Sequence, residues 1–355
     1  MPRYGITPRL LIAIALSASG CGVDIAYLAH AGLGVLGSYS AVQPVAQVIA
    51  DGGVSPEQAR KLQLVQQVRS YAEERIGLNV GGSYANYEDN GDQPTGYLVG
   101  GSRKDRFEAY LWYFPIVGGI PNKIYFDREL AQDEADWLES EGYDAFIGEV
   151  IGFSTGGILA DPIRTSNLRL DDFDLADFVF HELLHNTTFR FDDVDFNESA
   201  ATFVGRTVAL QFFRDTFGPD SPEAQTAVLR VADLQVIDAF ILDMFARMNL
   251  YYAMPLSSEA KIAGREDEFT AIRQLFTDVY RPQLMDPQRF EHIGNLAGNN
   301  AVIMAGVRYQ GGLQIYRDVF DAVGGDWADF LFLLREAAAA PAARTFLRSW
   351  LNANS

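Results

Sequence analysis

Two histidines four positions apart, with a glutamate beside the first, are the residues in this sequence best suited to chemistry. His181, Glu182 and His185 form the pattern His-Glu-x-x-His in an apolar or neutral stretch without proline. On a helix, positions four apart share one face, so both imidazoles can bind one zinc ion. Zinc lowers the pKa of a water that it binds, and Glu182 can take the proton as that water attacks a carbonyl. The pattern predicts a catalytic zinc site; the alternative is two histidines that share a core face by coincidence.

A third protein ligand is expected, because a catalytic zinc usually has three and keeps one position open. The extended pattern with a third histidine is absent, since Thr188 and Phe191 stand where its glycine and histidine would be. Glu198, on the next predicted helix, is the predicted ligand. In the alternative interpretation, Glu198 closes a capping box with Asp195 and only satisfies backbone amides. Weaker ligand candidates are Glu149, Asp192 and Asp193.

Further residues can support the chemistry around the metal. Asn197 can orient a ligand imidazole through a hydrogen bond. The oxyanion that forms during carbonyl attack needs a donor besides the metal, and the candidates are Tyr309, Tyr316, His292 and Arg308. Each has a bland alternative, because a lone tyrosine commonly packs in the core and a lone histidine is commonly structural. We expect no role for His30.

The metal motif lies in a long helical part of the chain. From about Asp172 onward the apolar residues recur at helical spacing, and an earlier helix is predicted to start at Pro56 with Ser55 as its N-cap. Residues 78–128 predict short strands, and residues 147–159 predict a strand that either pairs with an extended substrate or is simply buried. The expected fold class is α+β, mostly helical with a small mixed β-sheet.

Composition limits the classes of function. The 355 residues are 48% hydrophobic and carry a net charge of −19, without a cluster of Lys and Arg. A large core can therefore form, and a nucleic-acid partner is not expected. An acidic surface also mildly favours cationic partners, such as peptides with a free amine.

The N-terminus has the pattern of a secretory signal. Arg3 and Arg9 precede a short apolar run, and small residues lead to Cys21, the one cysteine. This resembles a bacterial lipoprotein cleavage site, although Ala18 stands where leucine is usual. Gly22 after the cysteine favours the outer membrane. We expect a signal peptide at 1–20, a lipid-anchored segment at 21–54 with lipid on Cys21, and a metallopeptidase domain at 55–355. Simple signal cleavage and a plain N-terminal anchor are the alternatives.

The two motifs together resemble a known zinc peptidase pattern. His181–His185 with Asn197–Ala201 is similar to the gluzincin motifs, in which Asn-Glu-x-x-Ala carries the third ligand. The wider sequence resembles the family of bacterial lipoproteins described as putative aminopeptidases, over most of the chain from Cys21 to about Arg317. The matching segments are Gly20-Cys21, Phe153–Gly157 with Asp161-Pro162, Phe180–His185, Phe196–Gly205, Lys261–Glu266 and Asn299–Ala301 with Tyr309.

The resemblance implies a zincin-like fold, a zinc ion, a peptide or protein substrate, and a site in the bacterial cell envelope. It favours Tyr309 among the oxyanion donors, and Glu182 as the catalytic base. Departures are Asn186, where glutamine is common, and Gly157, where an aromatic residue is common; neither removes a ligand. One alternative function is an envelope endopeptidase with the same chemistry. Another is a catalytically idle scaffold that keeps zinc for structure, against which the presence of Glu182 argues.

Overall fold

A computed structural model of the chain describes residues 25–37, 39, 42–91, 93–114, 118–152, 159–295 and 298–354. The predicted signal peptide, Cys21 and the resembling segment Phe153–Gly157 lie outside these residues. The described part is mostly helical, as the sequence predicts. Its helices are α1 Ile25–Gly37, α2 Val45–Ala50, α3 Pro56–Tyr71, α4 Arg128–Ser140, α5 Asp172–Thr187, α6 Val194–Phe217, α7 Pro222–Tyr252, α8 Ser258–Leu275, α9 Asn300–Gln310, α10 Leu313–Ala322, α11 Trp327–Ala339 and α12 Ala343–Asn354.

Within the described residues the strands form three small sheets instead of the one small mixed sheet that was expected. The first has the order β1-β2-β8 and mixes antiparallel and parallel pairs, the second has the antiparallel order β6-β3-β7, and the third is the β4-β5 hairpin. The strands are β1 Gln43–Pro44, β2 Asn86–Glu88, β3 Gly96–Arg103, β4 Trp112–Phe114, β5 Gly118–Ile120, β6 Asn122–Tyr125, β7 Tyr143–Val150 and β8 Ile163–Arg164.

Local sequence signals explain where the helices begin. Ser55 and Gln58 form a reciprocal capping box at α3, with Pro56 in the first position, as predicted. Ser221 caps α7 by accepting a hydrogen bond from the amide of Ala224, and Pro222 again occupies the first helical position. These caps satisfy amides that have no partner inside the helix.

Three apolar clusters hold the elements together. The largest joins α3, α5, α6 and the last three helices, and its fully buried side chains include Phe180, Phe212 and Phe330. A second cluster lies between α7, α8 and α9, and a third between α4 and the β6-β3-β7 sheet. The helix pair α5–α6 is in the largest cluster, so the predicted metal motif sits on the best-packed part of the fold.

Helix α1 covers one edge of the β6-β3-β7 sheet. The Tyr27 hydroxyl accepts a hydrogen bond from the Ile124 amide at 3.1 Å, and His30 Nε2 accepts one from the Phe126 amide at 3.0 Å. The sequence did not predict this helix, because its apolar residues lack a one-sided pattern. Among the described residues, no helix combines the length and the apolar character needed to span a bilayer.

Candidate metal centre

Helix α5 presents both histidines of the predicted motif. Asp171 caps the helix, accepting a hydrogen bond from the Asp174 amide, and acidic residues in the first turn interact favourably with the helix dipole. The helix buries its apolar face, which leaves His181 half-buried and His185 buried on the side facing α6. The two rings lie one turn apart, with 3.3 Å between their Nε2 atoms.

Helix α6 brings the third predicted ligand to the same place. Its N-cap is Asp193, which accepts a hydrogen bond from the Phe196 amide, and Glu198 lies in the second turn. The two helices approach closely at Gly205, where an added Cβ would lie 2.3 Å from Asp177 Oδ1 and 3.2 Å from the Cβ of His181. A glycine at this point lets α6 lie against the histidine helix.

The distances between the three side chains match a zinc site. Glu198 Oε2 lies 3.3 Å from His181 Nε2 and 3.9 Å from His185 Nε2. All three ligand atoms lie within 4.8 Å of one another, so the group could hold a metal ion. Ligands at about 2.0–2.2 Å from a tetrahedral zinc are separated by roughly 3.3 Å, which is close to these values. Two imidazoles and one carboxylate are also a ligand set typical of catalytic zinc.

The protonation states of this group also suit a cation. Burial lowers the pKa of His185 to about 4, so the imidazole is neutral at neutral pH. Burial also opposes the charged form of His181, but the hydrogen bond and the negative charge of Glu198 outweigh it and raise its pKa. Burial alone would raise the pKa of Glu198, but the hydrogen bond with His181 and the nearby positive charges together outweigh it and lower this pKa. A metal would therefore displace a proton from the His181–Glu198 pair.

The alternative capping role of Glu198 is not seen. The helix cap is Asp193, and Asp195 accepts a hydrogen bond from Nε of Arg308 at 3.1 Å. The weaker ligand candidates are also used elsewhere: Asp193 in the cap and Asp192 in an ion pair with Arg190. Glu149 is exposed on β7 and lines the same cavity as the three converging ligands, but it is not part of their group.

Asn197 has a different partner from the predicted imidazole. Its Oδ1 accepts a hydrogen bond from the Arg190 amide at 2.9 Å, and its Nδ2 donates one to the Arg190 carbonyl at 2.6 Å. The side chain thus clamps the loop between α5 and α6. In this structure both hydrogen bonds of its amide go to the backbone of Arg190 and neither goes to an imidazole.

Of the four candidate oxyanion donors, Tyr309 is the one stacked beside the metal group. Its ring lies 6.2 Å from that of His181, nearly parallel to it. Burial and the negative charge of Glu198 raise the pKa of Tyr309 far above its usual value, so the hydroxyl keeps its proton. Tyr316 bonds to Ser199 at 3.0 Å in the core, and His292 is exposed outside the cavity described next.

A cavity of 860 Å³ joins these residues. Glu182 lines it beside His181 and His185, as do Tyr309 and the end of β7 from Gly148. Strand β7 is an edge of its sheet, and residues 147–150 of the predicted substrate strand belong to it. Residues 153–158 of that prediction lie outside the described part of the chain.

One end of the cavity, about one helical turn along α5 from His181, is lined by charged residues. We call it the polar end and define it by Asp174, Asp177, Arg206 and Arg230, which all line the cavity. The sequence did not predict these four residues as part of the site. One signal was available, since Asp177 lies four positions before His181 and so on the same face of α5.

Comparison with known proteins identifies a family for the chain. Residues 26–347 match the model of a family described as putative aminopeptidases. No curated protein and no solved structure matches the chain. Because the family match covers most of the 355 residues, the chain belongs to the putative aminopeptidase family.

Proposed function

We propose that the protein is a zinc-dependent peptidase in which His181, His185 and Glu198 hold the metal and Glu182 is the general base. The observation that carries this proposal is the convergence of three ligand atoms within 4.8 Å, in a cavity that Glu182 also lines. Membership of a family described as putative aminopeptidases supports a peptidase. A purely structural zinc site would be expected to be closed by four ligands, whereas this group has three.

Zinc in such a site supplies a Lewis acid and lowers the pKa of bound water to near neutrality. Glu182 accepts the proton of the attacking water and later gives a proton to the leaving amine. Tyr309 keeps its hydroxyl proton and donates a hydrogen bond to the oxyanion. The extended peptide substrate pairs with the edge strand β7, in the manner of strand addition.

Replacement of the base separates an enzyme from an idle scaffold. Glu182→Gln should keep zinc and fold, while the rate of peptide hydrolysis falls by about 10²–10⁴-fold. Purified wild type and variant would be compared for zinc content, melting temperature and hydrolysis of a peptide library, with products sequenced to locate each cut. The matched control is Glu139→Gln, an exposed glutamate on α4. Wild-type protein that holds zinc and hydrolyses no peptide, or a fully active Glu182→Gln, would defeat the proposal.

We also propose that the protein is lipid-anchored at Cys21 on the periplasmic side of the bacterial outer membrane. The support is the basic start, the short apolar run and the small residues before the cysteine. Labelling of cells with a fatty-acid analogue should mark the wild type and not Cys21→Ser. Equal labelling of both, or of neither, would contradict the anchor.

A further inference from the structure

The charged residues of the polar end are largely neutralised in pairs. Arg230 holds Asp174 with two hydrogen bonds, at 2.8 and 2.9 Å, and Arg289 also contacts this carboxylate. Arg206 pairs with Asp238 through a contact of 2.5 Å. Arg289 in turn shares its charge with Asp171. The charges of these three arginines and three aspartates thus neutralise one another.

Asp177 is the carboxylate left over from this pairing. Within the part of the chain that the structure describes, its side chain makes no hydrogen bond and no ion pair. It sits against Gly205, where a Cβ would come within 2.3 Å of Oδ1, and it lines the cavity. The polar end and its partners therefore carry one negative charge in excess, and Asp177 holds it. A cationic ligand group in the cavity would pair with this carboxylate, whose side chain is partly exposed.

Two more buried polar atoms of the cavity lining have no partner among the described residues. They are Oε1 of Gln310, an acceptor, and Nη1 of Arg230, a donor. A ligand that fits must donate hydrogen bonds to the Asp177 carboxylate and to Oε1 of Gln310. It can also accept one from Nη1 of Arg230, for example through a backbone carbonyl. Because buried polar groups are normally satisfied, these two atoms point to a polar ligand in the cavity.

We propose that Asp177 binds a cationic group of the peptide substrate, in a subsite next to the metal. This rests on the proposed peptidase function and names its substrate class. Asp177 lies one helical turn, about 6 Å, from His181. Both an α-ammonium group and the side chain of lysine or arginine have this chemistry. The net charge of −19 adds an attraction for cationic substrates over longer distances.

The test measures binding and turnover with matched peptides. The zinc-loaded Glu182→Gln full chain would be titrated calorimetrically with pentapeptides that differ at one position, lysine against norleucine, each with a free or an acetylated N-terminus. We expect the cationic member to bind about 10–100-fold more tightly, and this preference to disappear in Glu182→Gln/Asp177→Asn. Asp220→Asn, an exposed aspartate between α6 and α7, is the control for general loss of charge.

These peptides distinguish the two possible sources of the cationic group. A preference that disappears on acetylation identifies the α-ammonium group, and one that follows lysine identifies a side chain; both support the proposal. Equal binding of all peptides would overturn it, as would a preference lost in Glu149→Gln and kept in Asp177→Asn. If Asp177→Asn loses zinc or weakens every peptide equally, the residue supports His181 instead and the proposal fails.

Failure of the peptidase proposal gives a different result. In that case the wild type hydrolyses none of the peptides, whereas the Asp177-dependent difference in binding affinity remains measurable.

Discussion

The close approach of α5 and α6 at Gly205 predicts a coupled loss of stability and metal affinity in Gly205→Ala. The new Cβ would lie 2.3 Å from Asp177 Oδ1, 2.9 Å from the Asp177 carbonyl oxygen and 3.2 Å from the Cβ of His181. Rotation of the Asp177 side chain can relieve the first contact. The other two involve the backbone and the Cβ of α5, so the helices themselves must separate by a few tenths of an ångström.

The expected magnitude is the difference between two opposing effects. Overpacking of a tight helix contact costs about 1–3 kcal/mol. Alanine gains roughly 1 kcal/mol over glycine within a helix. The net loss is therefore about 0–2 kcal/mol, which corresponds to a fall in melting temperature of up to roughly 3 °C for a chain of 355 residues. Because His181 and Glu198 lie on opposite sides of this contact, zinc affinity should fall about tenfold as well, in the range seen when the surroundings of a metal ligand are disturbed.

Thermal melting and competition with a zinc chelator measure both effects. The control is Gly32→Ala in α1, where an added Cβ meets nothing within 4 Å. It should keep the zinc affinity and be as stable as the wild type or slightly more so. A Gly205→Ala protein that melts higher than the wild type and binds zinc as tightly would refute the reasoning, because only the helix propensity would then have changed.

Three other substitutions test separate parts of the site. Glu198→Ala should lose most of the bound zinc in metal analysis, since one of three ligands is gone; full retention would exclude Glu198 as a ligand. Tyr309→Phe should retain zinc and lower kcat by about 10²–10³-fold, and an unchanged kcat would remove Tyr309 from the oxyanion site. Asn197→Ala removes both hydrogen bonds to Arg190 and should lower the free energy of unfolding by about 1–3 kcal/mol in denaturant titration, with zinc still bound; unaltered unfolding would contradict the clamp.

The metal group could be predicted from the sequence because its information is local. The spacing of His181 and His185 fixes one face of one helix, and Glu198 follows within a single helix–loop–helix unit. The helix caps at Ser55 and Ser221 likewise depend only on residues within three positions of each serine. Confirmation of the family rests on the match over residues 26–347, and the zinc dependence and lipid anchor stay predictions.

The rest of the site depends on packing between distant segments. Asn197 could satisfy either an imidazole or a loop, and only the position of Arg190 decides between them. The sequence does not show that Asp177 lacks an ion-pair partner. This follows only from the tertiary structure, in which Arg230 and Asp238 of α7 pair with other charged residues. The division of the strands into three sheets follows from tertiary contacts that alternation alone does not specify.

Side chains of α1 cover the β6 edge of the β6-β3-β7 sheet, so the two edges of this sheet differ. The amides of Ile124 on β6 and of Phe126, the residue after its end, already donate hydrogen bonds to Tyr27 and His30 and are not available to another chain. Exposed edge strands are sites at which folded proteins associate with one another and aggregate. Blocking this edge guards the protein against such self-association at high local concentration. It does so without closing β7, whose end remains part of the cavity wall.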